Sequence, residues 1–243
     1  MIKKGKTYIG TSGWHYQHWK GNFYPEEIAD SAELAYYTKH FATVELNNSF
    51  YHLPPAETFS NWRKKTPAGF IFAVKGSRYI THLKKLHVDR EAVNTFLSNA
   101  GNLEEKMGPI LWQFPPRWRI NTERLSAFLE LLPPKFRYTF EFRDHTWYDT
   151  AVYELLKQYN CAFCIYQLNG HLSPITITAN WVYIRLHGPG AKYQGSYRLP
   201  TLRKWAKQCE DWNNEGRDVY CYFDNDQSGY AAANAAKMKQ LME

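Results

Sequence analysis

Four side chains of this chain are the strongest acid/base candidates: Glu141, His187, Lys75 and Glu45. Glu141 stands two residues before Arg143, and a nearby cation keeps a carboxylate ionised, ready to accept a proton or orient a partner. His187 opens the turn His187-Gly188-Pro189-Gly190, and an imidazole ordinarily changes charge near neutral pH. Lys75, Arg143 and Arg185 supply three cations, against the carboxylates of Glu45 and Glu141. That count predicts a positive surplus, attractive to a phosphate or carboxylate. Ser12, Trp14, Asn47, Ser49, Tyr51, Gln113, Trp147 and Asn225 add hydroxyls, amides and aromatic faces. With Arg143 and Arg185 they form the expected substrate-binding set.

These residues need a scaffold that brings distant segments together. Eight short apolar runs, near 7–10, 43–46, 70–74, 110–113, 138–142, 161–166, 182–186 and 219–223, alternate with segments of helical period. Val93, Phe96, Leu97 and Ala100 form one helical stripe; Leu125, Phe128, Leu129 and Leu132 form another. Asp30 with Glu33 reads as a capping pair, Pro55 as a helix start, and Pro109 and Pro133-Pro134 as helix ends. Alternation on this scale over 243 residues predicts an α/β fold, one TIM-type eight-fold β/α barrel domain spanning 1–243. The stretch 168–180 carries Pro174 and the alternating Ile175-Thr176-Ile177-Thr178, so the sixth outer helix is expected to be irregular or missing.

In such a barrel the ligand site lies at the C-terminal ends of the strands. The candidates fall there. Glu45, Asn47 and Ser49 share one parity, opposite Val44 and Leu46; Glu141 and Arg143 alternate with Phe140 and Phe142. Polar groups on a buried strand face are costly unless paired or used. One bland explanation is that Glu45, Lys75, Glu141 and Arg185 form a structural charge network closing the barrel. Recurrence of charged or amide residues at six or more strand ends favours a site.

Composition narrows the setting. Hydrophobic residues are 44% and charged residues 22%, with no long run of like charge, which argues for a packed globular chain. Aromatic residues reach 17% and the formal charge is +7. The basic N-terminal stretch 1–6 is not followed by a long apolar segment, so no signal peptide or membrane span is expected and the cytoplasm is the default. Cys161 and Cys164 lie in a strand-like run, where residues three apart face opposite sides, so they are read as two buried thiols rather than metal ligands.

The stretch 9–14, Val44-Glu45-Leu46-Asn47 with Ser49-Phe50-Tyr51, and Phe72-Ala73-Val74-Lys75 with Thr81-His82 resemble the YecE-like family, domain of unknown function 72. So do Gln113-Phe114-Pro115-Pro116, Glu141-Phe142-Arg143 with Trp147, Arg185-Leu186-His187-Gly188, and Tyr222-Phe223 with Asn225. The resemblance implies a TIM-like barrel and no established activity. Asn48, Asp224 and Tyr166-Gln167 depart from the family pattern, the last where an aspartate is frequent.

No nucleophile elbow, Walker loop or dinucleotide fingerprint is present, which argues against a serine hydrolase, an NTPase or an NAD enzyme. His15, His18, Glu45, Glu141, His187, Asp224 and Asp226 show no metal-ligand spacing, so no metal is assigned and the cofactor is left unknown. The leading reading is an acid/base enzyme acting on a small anionic ligand. Its phosphate or carboxylate would sit between Arg185, His187 and the Asn225 loop. A nucleic-acid-binding or -processing barrel, by fold analogy with endonuclease IV, comes second, and a glycosidase using Glu45 and Glu141 third.

Overall fold

The computed structural model describes residues 3–243; Met1 and Ile2, which begin the basic N-terminal stretch, lie outside the described residues. Eight parallel strands form a nearly closed barrel: β1 (Thr7–Thr11), β2 (Thr43–Leu46), β3 (Ile71–Lys75), β4 (Met107–Gln113), β5 (Tyr138–Glu141), β6 (Ala162–Leu168), β8 (Trp181–Leu186) and β9 (Asp218–Phe223). The short β7 (His171–Leu172) pairs antiparallel with β6. Strand order runs β1-β9-β8-β6-β5-β4-β3-β2. A single parallel bridge, Ser12 with Glu45, joins the two ends of this order, supported by the Gly13 N–H donating to the Glu45 carbonyl at 2.8 Å.

Period-two patterning sorts the strand side chains into two layers. Phe72 and Val74 join the large outer core between strands and helices, whereas Ala73, Leu111, Ala162, Cys164, Tyr183, Tyr220 and Tyr222 fill the barrel. Cys161 packs in the outer core and Cys164 inside, both as free thiols, as residues three apart on extended chain must. The same inward parity continues to Glu45, Lys75, Glu141 and Arg185 at the C-terminal ends.

Helices α1 (Asp30–His40), α3 (Ala56–Lys64), α4 (Arg90–Ala100), α5 (Thr122–Leu131), α6 (Thr150–Gln158), α7 (Leu199–Asn214) and α8 (Tyr230–Gln240) cover the outside, and the short α2 (Asn48–Tyr51) follows β2. Between β6 and β8 there is no helix among the described residues. Thr178 Oγ1 accepts from the Phe163 N–H and donates to the Cys161 carbonyl, both at 2.7 Å, and Ser173 exchanges bonds with Tyr166 at 2.9 Å. Pro174 and alternating β-branched residues favour this extended strap over a helix.

Two local expectations are corrected. Pro109 does not end a helix but lies within β4, beside a shift in the β3–β4 register, where a missing N–H interrupts no regular ladder. Asp30 and Glu33 do not cap α1. Asp30 accepts from Lys20 Nζ at 2.7 Å, and Glu33 is buried against His15.

Closure depends on Gly10, where a Cβ would lie 2.3 Å from the Thr43 carbonyl oxygen of β2. Gly10→Ala is expected to destabilise the protein by about 1–3 kcal/mol or more, because overpacking pushes β1 from β2. Thermal melts should show a drop of several degrees, absent in Gly101→Ala, where the added methyl meets nothing within 4 Å.

Candidate active site

The centre of the C-terminal end is the Arg185 guanidinium, only 1% exposed. Its Nε donates to Glu45 Oε2 at 2.9 Å, and its Nη2 donates to Glu45 Oε1 at 2.7 Å, a two-pronged grip on one carboxylate. Nη1 donates to Glu141 Oε2 at 2.9 Å. Nη2 also reaches Ser12 Oγ at 3.1 Å and Asp224 Oδ2 at 3.3 Å. Glu45 further accepts from Ser12 Oγ and, at 2.6 Å, from the Tyr183 hydroxyl. No N–H direction of Arg185 is left for a ligand.

A second tier lies nearer the opening. Arg143 Nε donates to Glu141, and its Nη2 contacts His187 Nε2 at 3.1 Å, while the guanidinium covers the Tyr166 ring at 4.7 Å. Burial alone would raise the Glu141 carboxyl, but Arg143 and Arg185 hold it well below the usual carboxylate range. His187 Nδ1 lies 2.9 Å from Asp224 Oδ2. Guanidinium groups only donate, so Nε2, which also faces Arg185 Nη1 at 3.3 Å, presents its lone pair and the ring proton sits on Nδ1. Burial, then the Arg185 and Arg143 charges, push His187 well below its ordinary value, so the ring is neutral. Tyr193, from the loop after β8, packs edge-on to it at 5.4 Å.

Lys75 is different. Its Nζ sits over the Phe50 ring at 4.3 Å and makes no ion pair or hydrogen bond among the described residues. Burial, then the Arg185 charge, bring the amine down to about 8. His82 packs on the same Phe50 ring at 4.9 Å and bonds Thr81 through Nδ1 at 2.9 Å. Burial and the neighbouring Lys75, Arg78 and Arg143 charges lower this imidazole to about 4.

The chain matches the family described as protein of unknown function DUF72 over residues 8–243. It belongs to that family. The YunF protein of Bacillus subtilis is 27% identical over 97% of this chain and 94% of its own length. The YecE protein of Escherichia coli K12 is 31% identical over 56% of this chain and 48% of its own. A crystal structure of a DUF72 family protein from Thermotoga maritima superposes with a TM-score of 0.88 at 28% identity, covering 98% and 99% of the two chains. The YecE-like resemblance and the TIM-type barrel expected from the sequence both hold.

The other expected residues of this DUF72 protein are scattered. Gln113 lies in register with Glu141, its amide bonded to the Phe114 carbonyl at 3.1 Å. Ser49 is buried and donates to the Lys75 carbonyl at 2.7 Å, fixing the end of β3. Trp14 and Asn47 line a separate cavity of about 480 Å³ with Trp62 and Lys65. Tyr51 is 62% exposed on α2. Trp147, expected to offer a stacking face, is fully buried instead, stacked on Phe142 at 5.0 Å with its indole N–H on the Trp118 carbonyl. Asn225 is also enclosed, its Nδ2 tying Gly195 to Asn234 at 2.8 Å each. An anion between Arg185, His187 and Asn225 would therefore meet no free Arg185 donor. Asp224 and His82 were absent from the expected set; the inward parity of Tyr220 and Tyr222, carried two residues on, points to Asp224. Asp224 also cancels the predicted positive surplus, because it faces Arg185 and gives three carboxylates for three cations. Among the described residues no three His, Cys, Asp or Glu side chains are grouped to hold a metal ion, and no helix is long and apolar enough to cross a membrane.

Removing the central cation leaves two carboxylates buried without it, so Arg185→Ala should cost about 3–5 kcal/mol in urea unfolding. The neutral His187 ring gives a pH signature. Its folded pKa lies below the unfolded 6.5, so the unfolded chain binds more protons below that point. Stability should fall as pH drops from 6.5 toward 5, and His187→Gln should flatten that slope. Equal slopes in the two proteins would contradict the neutral assignment.

Proposed function

We propose that the barrel mouth is an acid/base active site for a small substrate bearing a carboxylate or phosphate, with Lys75 as the proton-transferring group. The free Lys75 amine carries this reading. Glu45, Glu141 and Arg185 saturate one another, and His187 presents its only lone pair to two guanidinium groups. None of these can exchange protons without breaking the network. Lys75 has no such commitment, and an amine near 8 can pass protons in either direction near neutral pH. Among the described residues Arg143 Nη1 has no hydrogen-bond partner, which makes it a donor suited to an anionic group. The paired carboxylates and Arg185 then set the field around Lys75 instead of performing the chemistry. A glycosidase gains nothing here, because its acid carboxyl needs a raised pKa and Glu141 is held low.

Two outcomes test the reading. The folded Lys75 pKa lies below the ordinary 10.5, so the charged amine costs stability that is lost as pH falls from 10.5 through 8 and stays lost at pH 7. Lys75→Met should therefore melt higher than the natural protein at pH 7. Phosphate at 100 times its dissociation constant should stabilise the natural protein by about 2.7 kcal/mol over chloride of equal ionic strength. Arg143→Gln should lose that gain; an equal gain in that variant would remove Arg143 as the seat of the anion.

A further inference from the structure

We infer that Lys75 is also a nucleophile, forming an imine with the carbonyl group of a small substrate whose carboxylate or phosphate rests on Arg143. The inference rests on the acid/base reading and deepens it by naming the substrate class. Imine formation needs an amine that is unpaired, reachable and able to shed its proton near neutral pH, and the geometry supplies the first two. Lys75 ends β3 on the inward face and is partly exposed, unlike the sealed Glu45, Glu141 and Arg185. The Phe50 ring beneath its Nζ meets the amine with its face, a weak attraction for the charged form that leaves the nitrogen lone pair unengaged once the proton is lost. The charged groups acting on it come from every side: Arg185 on β8, Glu141 on β5, Glu45 on β2 and Asp224 after β9. All four belong to the closed network and none bonds the amine. At neutral pH an amine titrating near 8 is neutral about 300-fold more often than one at 10.5. This is the recognised way in which desolvation and a neighbouring cation activate a lysine.

The chemistry balances without an added oxidant or reductant. The Lys75 nitrogen pair forms a bond to the carbonyl carbon, and the carbonyl π pair moves to oxygen. One nitrogen proton passes to that oxygen through His82, giving a carbinolamine. His82 shares the Phe50 wall, is neutral at this pH, and makes no hydrogen bond through Nε2 among the described residues. The second nitrogen proton leaves with the hydroxyl as water, and the C–O bond breaks as the C=N bond forms. The product is one imine and one water. Taking up one proton from solvent on nitrogen, the imine then withdraws electrons from the adjacent carbon, which would ease proton removal or carbon–carbon cleavage there. The substrate class is therefore a short 2-oxo acid or a phosphorylated aldehyde or ketone.

Reductive trapping tests this on the natural protein. Pyruvate and dihydroxyacetone phosphate, each with borohydride, serve as the carboxylate and phosphate probes, and peptide mass spectrometry locates the reduced adduct. The expected result is an adduct at Lys75 with at least one probe, well ahead of the surface lysines, rising in rate between pH 7 and 8. It should vanish in Lys75→Arg, and the probe that labels identifies the anionic group. In parallel, reductive methylation with carbon-13 formaldehyde allows the Lys75 amine to be titrated by NMR. A Lys75 amine titrating near 8 with no adduct from either probe overturns the imine and leaves the acid/base reading standing. Titration near 10.5 overturns both.

Discussion

Everything at the C-terminal end of this barrel depends on one guanidinium in a dry place. Eight inward-facing strand ends converge there, and two of them bring carboxylates that would repel each other if left alone. Arg185 resolves the conflict by binding Glu45 through two nitrogens and Glu141 through the third, with Ser12 and Asp224 completing its shell. A lysine in its place could satisfy neither the fork on Glu45 nor the span to Glu141, because an ammonium is a point charge. Desolvating such a network is costly, and its net worth to stability is small compared with the penalty of breaking it. Its value lies in specifying one arrangement of the mouth.

That arrangement separates the charged residues into two kinds. The inner ones are consumed by pairing, and their protonation is locked: Glu141 ionised, His187 neutral. Lys75 stays outside the pairing scheme, supported by an aromatic ring and lowered by burial and the Arg185 charge. A site that drives the protonation preferences of its groups apart is the usual physical basis for assigning acid and base roles. Here the same charge that binds the barrel together tunes Lys75, an amine of the mouth left unpaired among the described residues.

The scaffold is consistent with this economy. The bridge between β1 and β2 that closes the barrel is made by Ser12 and Glu45, the residues that also contact Arg185. Closure and the site thus share the same two residues. The sixth crossover dispenses with a helix and runs as a strap along β6, whose Tyr166 lies beneath Arg143. Outer helices shield the remaining strands, and the mouth's aromatic residues divide between those that line it, such as Tyr193, and those buried behind it, such as Trp147.

Much of this protein was legible in its sequence because it is local. Strand–helix alternation, inward parity and strand ends are short-range patterns, so the barrel, its missing sixth helix and the gathering of Glu45, Lys75, Glu141, Arg185 and His187 at one end followed from spacing alone. Pro174 with its β-branched neighbours carried the strap for the same reason. The roles of those residues were not local. Glu45 and Arg185 are separated by 140 positions and meet only when the ring closes. Whether His187 is charged depends on two arginines and the half-buried Asp224, and whether Lys75 is free depends on the carboxylates of Glu45, Glu141 and Asp224 having already been taken. Trp147 and Asn225 likewise stand beside mouth residues in the chain but turn away from the mouth, because helices and loops packed behind the strands claim their side chains. Types and parity place a residue at the mouth; only the closed barrel decides which charges neutralise one another and which one is left over.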